Sequence, residues 1–444
     1  MITVIAIFDI GKTNKKLFLF DEDYKIVFES NECFAEIKDE DGEGCEDLQK
    51  LTDFITKSLD EIFSKKDFDI QAINFSAYGA SFVYIDQDGK PLTPLYNYLK
   101  NYPASLQQKF YADYGGEEKF SLQTASPVLG SLNSGMQLYR IKYEKPEIFR
   151  QIKHALHLPQ FLSYLVTKKT FSDITSIGCH TNLWDFKKND YHQWVGKEKI
   201  EGILAPIASS DSANEIFINE KKVVVGIGLH DSSAALLPYL AYFHEPFILI
   251  STGTWCISLN PFNEDPLTVD ELQQDCLCYL THEGKQVKSS RLFLGHEHEQ
   301  QIKRLSVFFK KPLDHYAALS FDENLIDVED EFDGDNLGRY KNYQEAYHCF
   351  MNWLVKKQFA STQLIMGKKL VSRIFIDGGF SQNTIYMSLL ASIFNEKEVY
   401  AAAVPQASAI GAAMVIHRLW NKKPLPENLI QLKKFIGNKI HSSL

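Results

Sequence analysis

The feature that most constrains the fold is a pattern that occurs twice, near the start of the chain and in its middle. A run of β-branched and aromatic residues at 2–8 leads into a short polar segment, and an apolar run at 17–20 follows. The same order returns with an apolar run at 246–250, a polar turn at 251–254 and a second run at 255–259. Each unit predicts two strands joined by a tight turn. The wide spacing of the two units predicts duplication of a whole domain.

The residues around the first hairpin predict a mixed sheet with helices packed on it. Apolar residues recur at helical spacing over 48–63, and a buried strand is predicted at 70–75. A chain of 444 residues is too long for one compact core. We therefore predict an α/β protein of two domains, residues 1–240 and residues 241–444.

The second half continues with elements that alternate between strand and helix. The spacing of apolar residues predicts a long amphipathic helix at 343–367 and a short buried strand at 374–376. Helices are predicted at 384–394 and, in a segment rich in small residues, at 407–419. This order again favours a sheet covered by helices.

Charge and composition exclude several classes of partner. Apolar residues make up 45% of the chain and charged residues 23%, as in an ordinary globular protein. The net charge of −10 argues against a nucleic-acid partner, which usually requires a basic face, and against anionic membrane surfaces. The longest apolar run, at 234–243, is about half of what a membrane span needs.

Cysteine usage indicates a reducing compartment. The 7 cysteines are scattered and form no CxxC pair, which argues against structural zinc and against a disulfide framework. The apolar N-terminal run has no basic residues before it and stops at Asp9, so it predicts a strand rather than a signal peptide. We expect a cytoplasmic protein.

The two polar turns are candidates for phosphate binding. Turns made of small residues expose backbone N–H groups, and such concavities bind phosphate oxygens. In the first turn Asp9 would hold Mg²⁺, while Lys12, Thr13 and Asn14 would reach phosphate oxygens. These residue types also form ordinary β-turns, which is the alternative for either turn alone. Two such turns, each opening a similar half, favour phosphate binding.

Two further segments carry candidate chemistry. Asp231 lies between a glycine-rich junction and a helix of small residues, so it is either the N-cap of that helix or a general base for phosphoryl transfer. Gly378 and Gly379 follow the predicted strand at 374–376. Paired glycines let a backbone approach a ligand closely, although they also suit a plain strand-to-helix turn.

These four segments, in this order, resemble those of the FGGY carbohydrate kinase family, and the resemblance covers nearly the whole chain. It implies two actin-like, ribonuclease-H-type domains with a cleft between them, and transfer of the γ-phosphate of ATP to a sugar or polyol hydroxyl with Mg²⁺. It also implies that Asp231 is the catalytic base and that Asp9 holds the Mg²⁺. The implied ATP-binding positions are Gly11, Lys12, Thr13, Asn14, Lys16, Thr252, Gly253, Thr254, Gly378, Gly379 and Asn383.

Within the family, segments 251–255 and 378–383 and the pair Asn97-Tyr98 resemble the rhamnulokinase branch, which implies a ketose such as L-rhamnulose. Residues 99–102 depart from the acidic and arginine residues usual after that pair. L-fuculose, xylulose, ribulose and gluconate are therefore alternatives, as is a non-catalytic sugar-responsive protein. The implied sugar-binding positions are Ser76, Tyr78, Gly79, Ala80, Asn97, Tyr98 and His230.

Each sugar-binding assignment has an ordinary alternative. The faces of Tyr78 and Tyr98 suit the C–H groups of a sugar, but half-buried packing would explain either tyrosine equally. His230 would bond a sugar hydroxyl or be a core histidine with its hydrogen bonds satisfied. The expected partners are a small-molecule sugar and ATP, and the expected state is a monomer or homodimer.

Overall fold

The computed structural model describes residues 1–79, 81–326, 331–402 and 406–437. Within them the chain forms two seven-stranded sheets and several two-stranded ones. The strands of the first half are β1 Ile2–Ile10, β2 Asn14–Asp21, β3 Ile26–Cys33, β4 Ile37–Lys38, β5 Gly44–Cys45, β6 Phe68–Ala77, β7 Phe82–Ile85, β8 His154–His157, β9 Ser172–Asp173, β10 Trp184–Asp185, β11 Asp190–Tyr191, β12 Ile207–Ala208, β13 Ala213–Ile218, β14 Lys221–Gly226 and β15 Leu229–His230. Those of the second half are β16 Phe247–Thr252, β17 Cys256–Asn260, β18 Cys276–Leu280, β19 Gln286–Leu292, β20 Arg373–Gly378, β21 Glu398–Ala402 and β22 Leu432–Phe435.

The two large sheets share a common construction. The first has the order β13-β14-β6-β1-β2-β3, with β15 also paired to β6, and the second has the order β18-β19-β17-β16-β20-β21-β22. In each, an antiparallel hairpin, β1–β2 or β16–β17, is extended by a further antiparallel strand on one side. On the other side, the hairpin's first strand pairs in parallel with a later strand, β6 or β20. The predicted duplication is therefore present in the strand pairing.

Helices cover both sheets. They are α1 Leu48–Ser64, α2 Ala104–Asp113, α3 Glu117–Thr124, α4 Ser134–Glu144, α5 Pro146–Phe149, α6 Leu158–Thr167, α7 Ile174–Ile177, α8 Gln193–Lys197, α9 Asp231–Tyr242, α10 Val269–Gln273, α11 Leu294–Phe309, α12 Tyr343–Leu364, α13 Thr384–Ile393, α14 Ala407–Val415 and α15 His417–Trp420. No helix of the described ranges is both long and apolar enough to cross a membrane.

Strand β1 is apolar on both faces because both are covered. Phe8 and Ile10 belong to the cluster that includes residues of α1, while Ile5 and Ile7 belong to the cluster that includes residues of α14. Successive side chains of a strand point to opposite faces, so a strand buried on both faces reads as a continuous apolar run. This explains the unbroken hydrophobic pattern at residues 2–8.

Helices α9 and α14 pack closely against each other. A β-carbon on Gly411 would lie 1.9 Å from the carbonyl oxygen of Ala234, so the two backbones can approach this closely only because residue 411 is glycine. Ala234 and Ala413 share a cluster with Ile5 of the first sheet, whereas Leu236 of α9 packs with Leu249 of the second. The helix pair thus joins the two sheets, and the small residues noted in both segments permit this contact.

Most of the predicted elements are confirmed, with shifted ends. The predicted strands near residues 2–8 and 17–20 extend as β1 and β2, and the helix predicted at 343–367 ends earlier, at Leu364. The single helix predicted at 407–419 is wrong, because α14 ends at Val415 and α15 follows separately. The indole N–H of Trp420 turns back to donate to the carbonyl of Ala413, at 3.3 Å. No structural observation tests the domain boundary near residue 241, which stays a prediction.

Candidate functional site

Both polar turns lie at one cleft between the two large sheets. In the first, the N–H of Gly11 donates to the carbonyl of Asn14 at 2.9 Å, and in the second the N–H of Gly253 donates to the carbonyl of Trp255 at 2.9 Å. The cleft has a volume of about 320 Å³. Its lining includes Gly11, Lys12, Asp231, Thr252, Gly253, Thr254 and Gly378. The fold therefore gathers residues from both predicted phosphate turns around the predicted base.

Asp231 is held at the start of α9. His230 occupies the N-cap position, so Asp231 is the first helical residue and not the N-cap. Its Oδ1 accepts hydrogen bonds from the Ser232 N–H at 2.6 Å and the Ser232 hydroxyl at 3.3 Å. Burial raises the pKa of Asp231 to about 6, against the opposing effect of these bonds. A carboxyl group with a pKa near neutrality can take up a proton and give it back, as a general base must.

The candidate site contains two further carboxylates: Asp9, which the charge of Asp231 affects, and Asp377, which lines the cleft. Burial, and then the charge of Asp231, raise the pKa of Asp9 to about 6, while a 3.0 Å hydrogen bond from the Ser408 hydroxyl opposes the rise. Burial raises the pKa of Asp377, which lines the cleft, to about 7. Its Oδ2 is buried and has no hydrogen-bond partner among the described residues. Mg²⁺ prefers oxygen ligands such as carboxylates, so Asp9 and Asp377 are the candidates to hold it.

Lys12 lines the cleft but is engaged by acidic side chains. Its ammonium group lies 2.7 Å from Glu36 and 3.8 Å from Glu46. The buried Lys15 lies 2.6 Å from Glu46 and donates to the carbonyl of Lys12 at 2.9 Å. Glu36 also accepts from the side-chain amide of Asn97 at 3.2 Å. Glu36 therefore connects Lys12 of the first turn to Asn97, a predicted sugar-binding residue.

The other residues predicted to bind phosphate in the first turn do not line the cleft. Thr13, Asn14 and Lys16 are absent from the described lining of the cleft, and the first two are exposed. The Asn14 side chain accepts from the Cys33 thiol at 3.2 Å. Lys16 pairs with Asp9 across β1 and β2, and its positive charge opposes the rise in the pKa of that carboxyl. Their contact with phosphate stays a prediction.

One end of the cleft brings together most of the residues predicted to bind the sugar, and we call it the sugar end. Tyr78, Gly79, Tyr98 and His230 line it, and the two tyrosine rings meet edge to face at 5.8 Å. A β-carbon on Gly79 would lie 2.6 Å from the His230 ring, so glycine is needed there for the imidazole to fit. Ser76 and Asn97 are not among the described lining residues, and Ala80 lies outside the described residues.

Sequence reasoning missed several residues at this end of the cleft. His180, Trp255, Tyr279 and Arg291 all line it. The Tyr279 ring stacks on His230 with centroids 5.5 Å apart. Trp255 lies in the segment 251–255 that the sequence singled out, but no local signal marks the other three, because they come from separate strands and loops. Asp377, in contrast, could have been found, because like Asp9 it lies close to the carboxyl end of a buried strand.

Two of the predicted ATP-binding residues, Gly379 and Asn383, lie beside the cleft. Gly379 and Asn383 line a neighbouring cavity of about 400 Å³, which shares Thr252 and Gly253 with the main cleft. The Asn383 side chain caps α13, accepting from the N–H groups of Ile385 and Tyr386 at 3.1 and 3.0 Å. The shared residues place the second phosphate turn between the two cavities. Contact of one nucleotide with both cavities stays a prediction.

Comparison with known proteins identifies the family. Residues 4–237 match the N-terminal domain of the FGGY family of carbohydrate kinases, and residues 349–419 match its C-terminal domain. The chain therefore belongs to the FGGY family of carbohydrate kinases, as the resemblance of its motifs indicated. A rhamnulokinase of Mannheimia succiniciproducens is 24% identical over 268 residues, covering 57% of this chain and 52% of that protein. The chain thus spans about half the length of the curated relatives it matches.

Solved structures confirm the fold. A gluconate kinase from Lactobacillus acidophilus superposes with a TM-score of 0.81 at 17% identity, covering 100% of this chain and 95% of that one. A carbohydrate kinase from Novosphingobium aromaticivorans superposes with a TM-score of 0.73 at 21% identity, covering 97% and 96%. The predicted fold, two actin-like halves around a cleft, is therefore confirmed.

Proposed function

We propose that this chain transfers the γ-phosphoryl group of ATP to a hydroxyl of a neutral ketose, with L-rhamnulose as the leading candidate. The observation that carries this proposal is the position of Asp231 in one cleft with Gly11 and Gly253, which come from opposite halves. Phosphoryl transfer requires an aligned nucleophile and stabilised phosphate oxygens more than covalent help from the protein. A base between two phosphate-binding turns supplies that arrangement.

Asp231 would act on the acceptor hydroxyl. As the hydroxyl oxygen attacks the γ-phosphorus, its proton passes to the Asp231 carboxylate, and the bond from phosphorus to the bridging oxygen of ADP breaks. Burial holds the pKa of Asp231 at about 6, so the carboxylate is mostly ionised at neutral pH yet still able to accept a proton. The proton later leaves to solvent, which restores the base.

The phosphate groups would lie between the two turns. The second turn contributes Thr252, Gly253 and Thr254 to the cleft lining, and the Thr254 hydroxyl would donate to phosphate oxygens, whereas the Thr252 hydroxyl already donates to the carbonyl of Asp377. Asp9 and Asp377 are the residues that would hold Mg²⁺, which neutralises phosphate charge when bound. Burial, and then the charge of Asp231, raise the pKa of Asp9, and a bound cation would favour its ionised form.

The sugar end favours a neutral substrate. Arg291 is the one arginine in the described lining, and its guanidinium is committed to Asp275 through contacts of 2.8 and 3.2 Å. A sugar acid such as gluconate would therefore find no unpaired arginine. The edge-to-face pair of Tyr78 and Tyr98 offers apolar surface for C–H groups or for the methyl group of a 6-deoxy ketose. The relative named rhamnulokinase supports the same choice.

The test is a screen of ADP release. The purified chain is incubated with ATP and Mg²⁺, and L-rhamnulose, L-fuculose, xylulose, ribulose, gluconate and glycerol are added in turn. We expect ADP to form only with a sugar present, fastest with a neutral ketose, and the phosphorylated sugar to be detected by mass spectrometry. ATP hydrolysis unaffected by every acceptor would contradict the kinase assignment, and a preference for gluconate would contradict the assigned substrate class.

A further inference from the structure

Three buried side chains with metal-binding chemistry meet at the sugar end of the cleft. Cys179, His180 and His230 each offer one ligand atom, and these atoms all lie within 4.8 Å of one another. The side chains come from two places in the chain, just after α7 and at the N-cap of α9. No CxxC motif marks such a site in the sequence, because the fold assembles it from separate segments.

The hydrogen bonds of His180 leave one ring nitrogen available. Its Nδ1 lies 3.0 Å from the carbonyl oxygen of Leu132. A carbonyl oxygen only accepts hydrogen bonds, so Nδ1 carries the hydrogen and Nε2 keeps its lone pair. Metal-binding histidines are commonly fixed by such a bond from the other ring nitrogen.

His230 is held in a matching way. Its Nε2 lies 3.3 Å from Oδ1 of Asp231, and because a carboxylate oxygen accepts hydrogen bonds, Nε2 carries the hydrogen that faces it. Its Nδ1 then holds a lone pair. That atom is buried and has no hydrogen-bond partner in the described part of the chain. A buried polar atom without a partner calls for an explanation, and a bound ligand would supply one.

We propose that Cys179, His180 and His230 form a binding site for a thiophilic divalent cation, represented by Zn²⁺. One sulfur and two imidazole nitrogens are the ligand set that zinc accepts, with a fourth position left open. Cys179 now donates to the carbonyl of Ser176 at 3.1 Å, and on binding its thiol proton would be released to solvent. The charge of the neighbouring Asp231 would balance the cation.

The ligand types of this site differ from those of Asp9 and Asp377, the carboxylates proposed for Mg²⁺. Mg²⁺ prefers oxygen ligands, so it would not compete for sulfur and imidazole. Both histidines line the cleft at the place assigned to the sugar. Bound Zn²⁺ would therefore exclude the sugar. Because His230 also contacts Asp231, the ion would fix the position of that carboxylate. This inhibitory consequence rests on the proposed kinase function, whereas metal binding itself does not.

The test uses Co²⁺ as a spectroscopic probe on the purified full chain, freed of metal by a chelator. A thiolate ligand gives a charge-transfer band in the near ultraviolet, and tetrahedral Co²⁺ gives strong visible bands. We expect both to saturate at one Co²⁺ per chain, to be displaced by Zn²⁺ and to be unaffected by excess Mg²⁺. Absence of the charge-transfer band in the folded wild-type chain would overturn the proposal.

Matched variants assign the ligands. Cys179→Ser should lose the charge-transfer band, while Cys33→Ser, at the exposed cysteine, and Cys278→Ser, at a buried one in the second sheet, should keep it. His180→Asn keeps a donor for the Leu132 carbonyl and removes only Nε2, so it should also lose tight binding without unfolding. A band that survives Cys179→Ser or His180→Asn would overturn the assignment.

A separate arm tests inhibition. If the chain is active in the ADP-release screen, Zn²⁺ should suppress sugar-dependent release and a chelator should restore it, with His180→Asn less sensitive than Cys278→Ser. Full activity at Zn²⁺ concentrations that saturate the cobalt site would refute the inhibitory role. The cobalt spectra do not depend on activity, so a failure of the kinase assignment and a failure of the metal site remain distinguishable.

Discussion

Gly378 is the position where the structure predicts the sharpest effect of a single methyl group. It ends β20 and pairs with Thr252 of the second phosphate turn. Its backbone has φ of 78° and ψ of −157°, a region essentially restricted to glycine. A β-carbon there would lie 1.8 Å from the carbonyl oxygen of Thr252. On the adjacent Gly379, a β-carbon would meet no described atom within 4 Å.

Gly378→Ala should therefore lower the free energy of unfolding by about 1–3 kcal/mol from the backbone conformation alone. Displacement of the Thr252 carbonyl would add to this cost, because the clash is with backbone of a neighbouring strand. Gly379→Ala is the matched control and should change the free energy of unfolding by about 0.5 kcal/mol or less.

Urea unfolding followed by tryptophan fluorescence compares the two variants with the wild type. We expect a clear fall in the midpoint for Gly378→Ala and a midpoint near that of the wild type for Gly379→Ala. Equal losses in the two variants, or a wild-type midpoint for Gly378→Ala, would refute the reasoning from backbone geometry.

Three other predictions test the site and its surroundings. Asp9→Asn removes one of the carboxylates proposed to hold Mg²⁺, so it should raise the Mg²⁺ concentration needed for half-maximal ADP release; a wild-type titration curve would count against this role. Glu46→Gln removes the partner of the buried Lys15, 2.6 Å away, and should cost about 3–5 kcal/mol in urea unfolding. The control Glu215→Gln breaks an exposed pair with Lys222 and should cost about 1 kcal/mol or less, so equal losses would contradict the argument. Because the two phosphate turns lie on different halves, a substrate sugar with a non-hydrolysable ATP analogue should lower the radius of gyration in X-ray scattering; an unchanged radius would exclude closure.

The parts of the fold that the sequence predicts best depend on local patterns. The hairpins at the two polar turns and helix α1 follow from the spacing of apolar residues within one element. Asp47 caps α1 by accepting from the N–H of Lys50 at 3.0 Å. The break between α14 and α15 was missed because it depends on tertiary contacts, with Trp420 packed against Tyr24 of the first half.

The residues of the candidate site also fall into those that local sequence patterns predict and those that only the assembled fold reveals. Gly253 and Asp231 lie within recognisable segments, and the fold brings both to the cleft. The engagement of Lys12 by Glu36 was not predictable, because no local rule pairs a turn lysine with a glutamate in a later segment. Arg291 enters the cleft from β19, and its pairing with Asp275 becomes visible only when the strands are assembled. Sequence patterns thus predict the phosphate-binding role of the turns, whereas the residues that line the sugar end can be identified only from the structure.

The most direct test of the central claim compares sugar-dependent ADP release by the wild type and by Asp231→Asn. Asparagine is nearly isosteric with aspartate but cannot accept the proton, so turnover should fall by about 10²–10⁴-fold. Affinity for a non-hydrolysable ATP analogue, measured by calorimetry on the same preparations, should remain at the wild-type value. An Asp231→Asn variant that binds the analogue normally and keeps most of the wild-type sugar-dependent rate would contradict the assignment of Asp231 as the base.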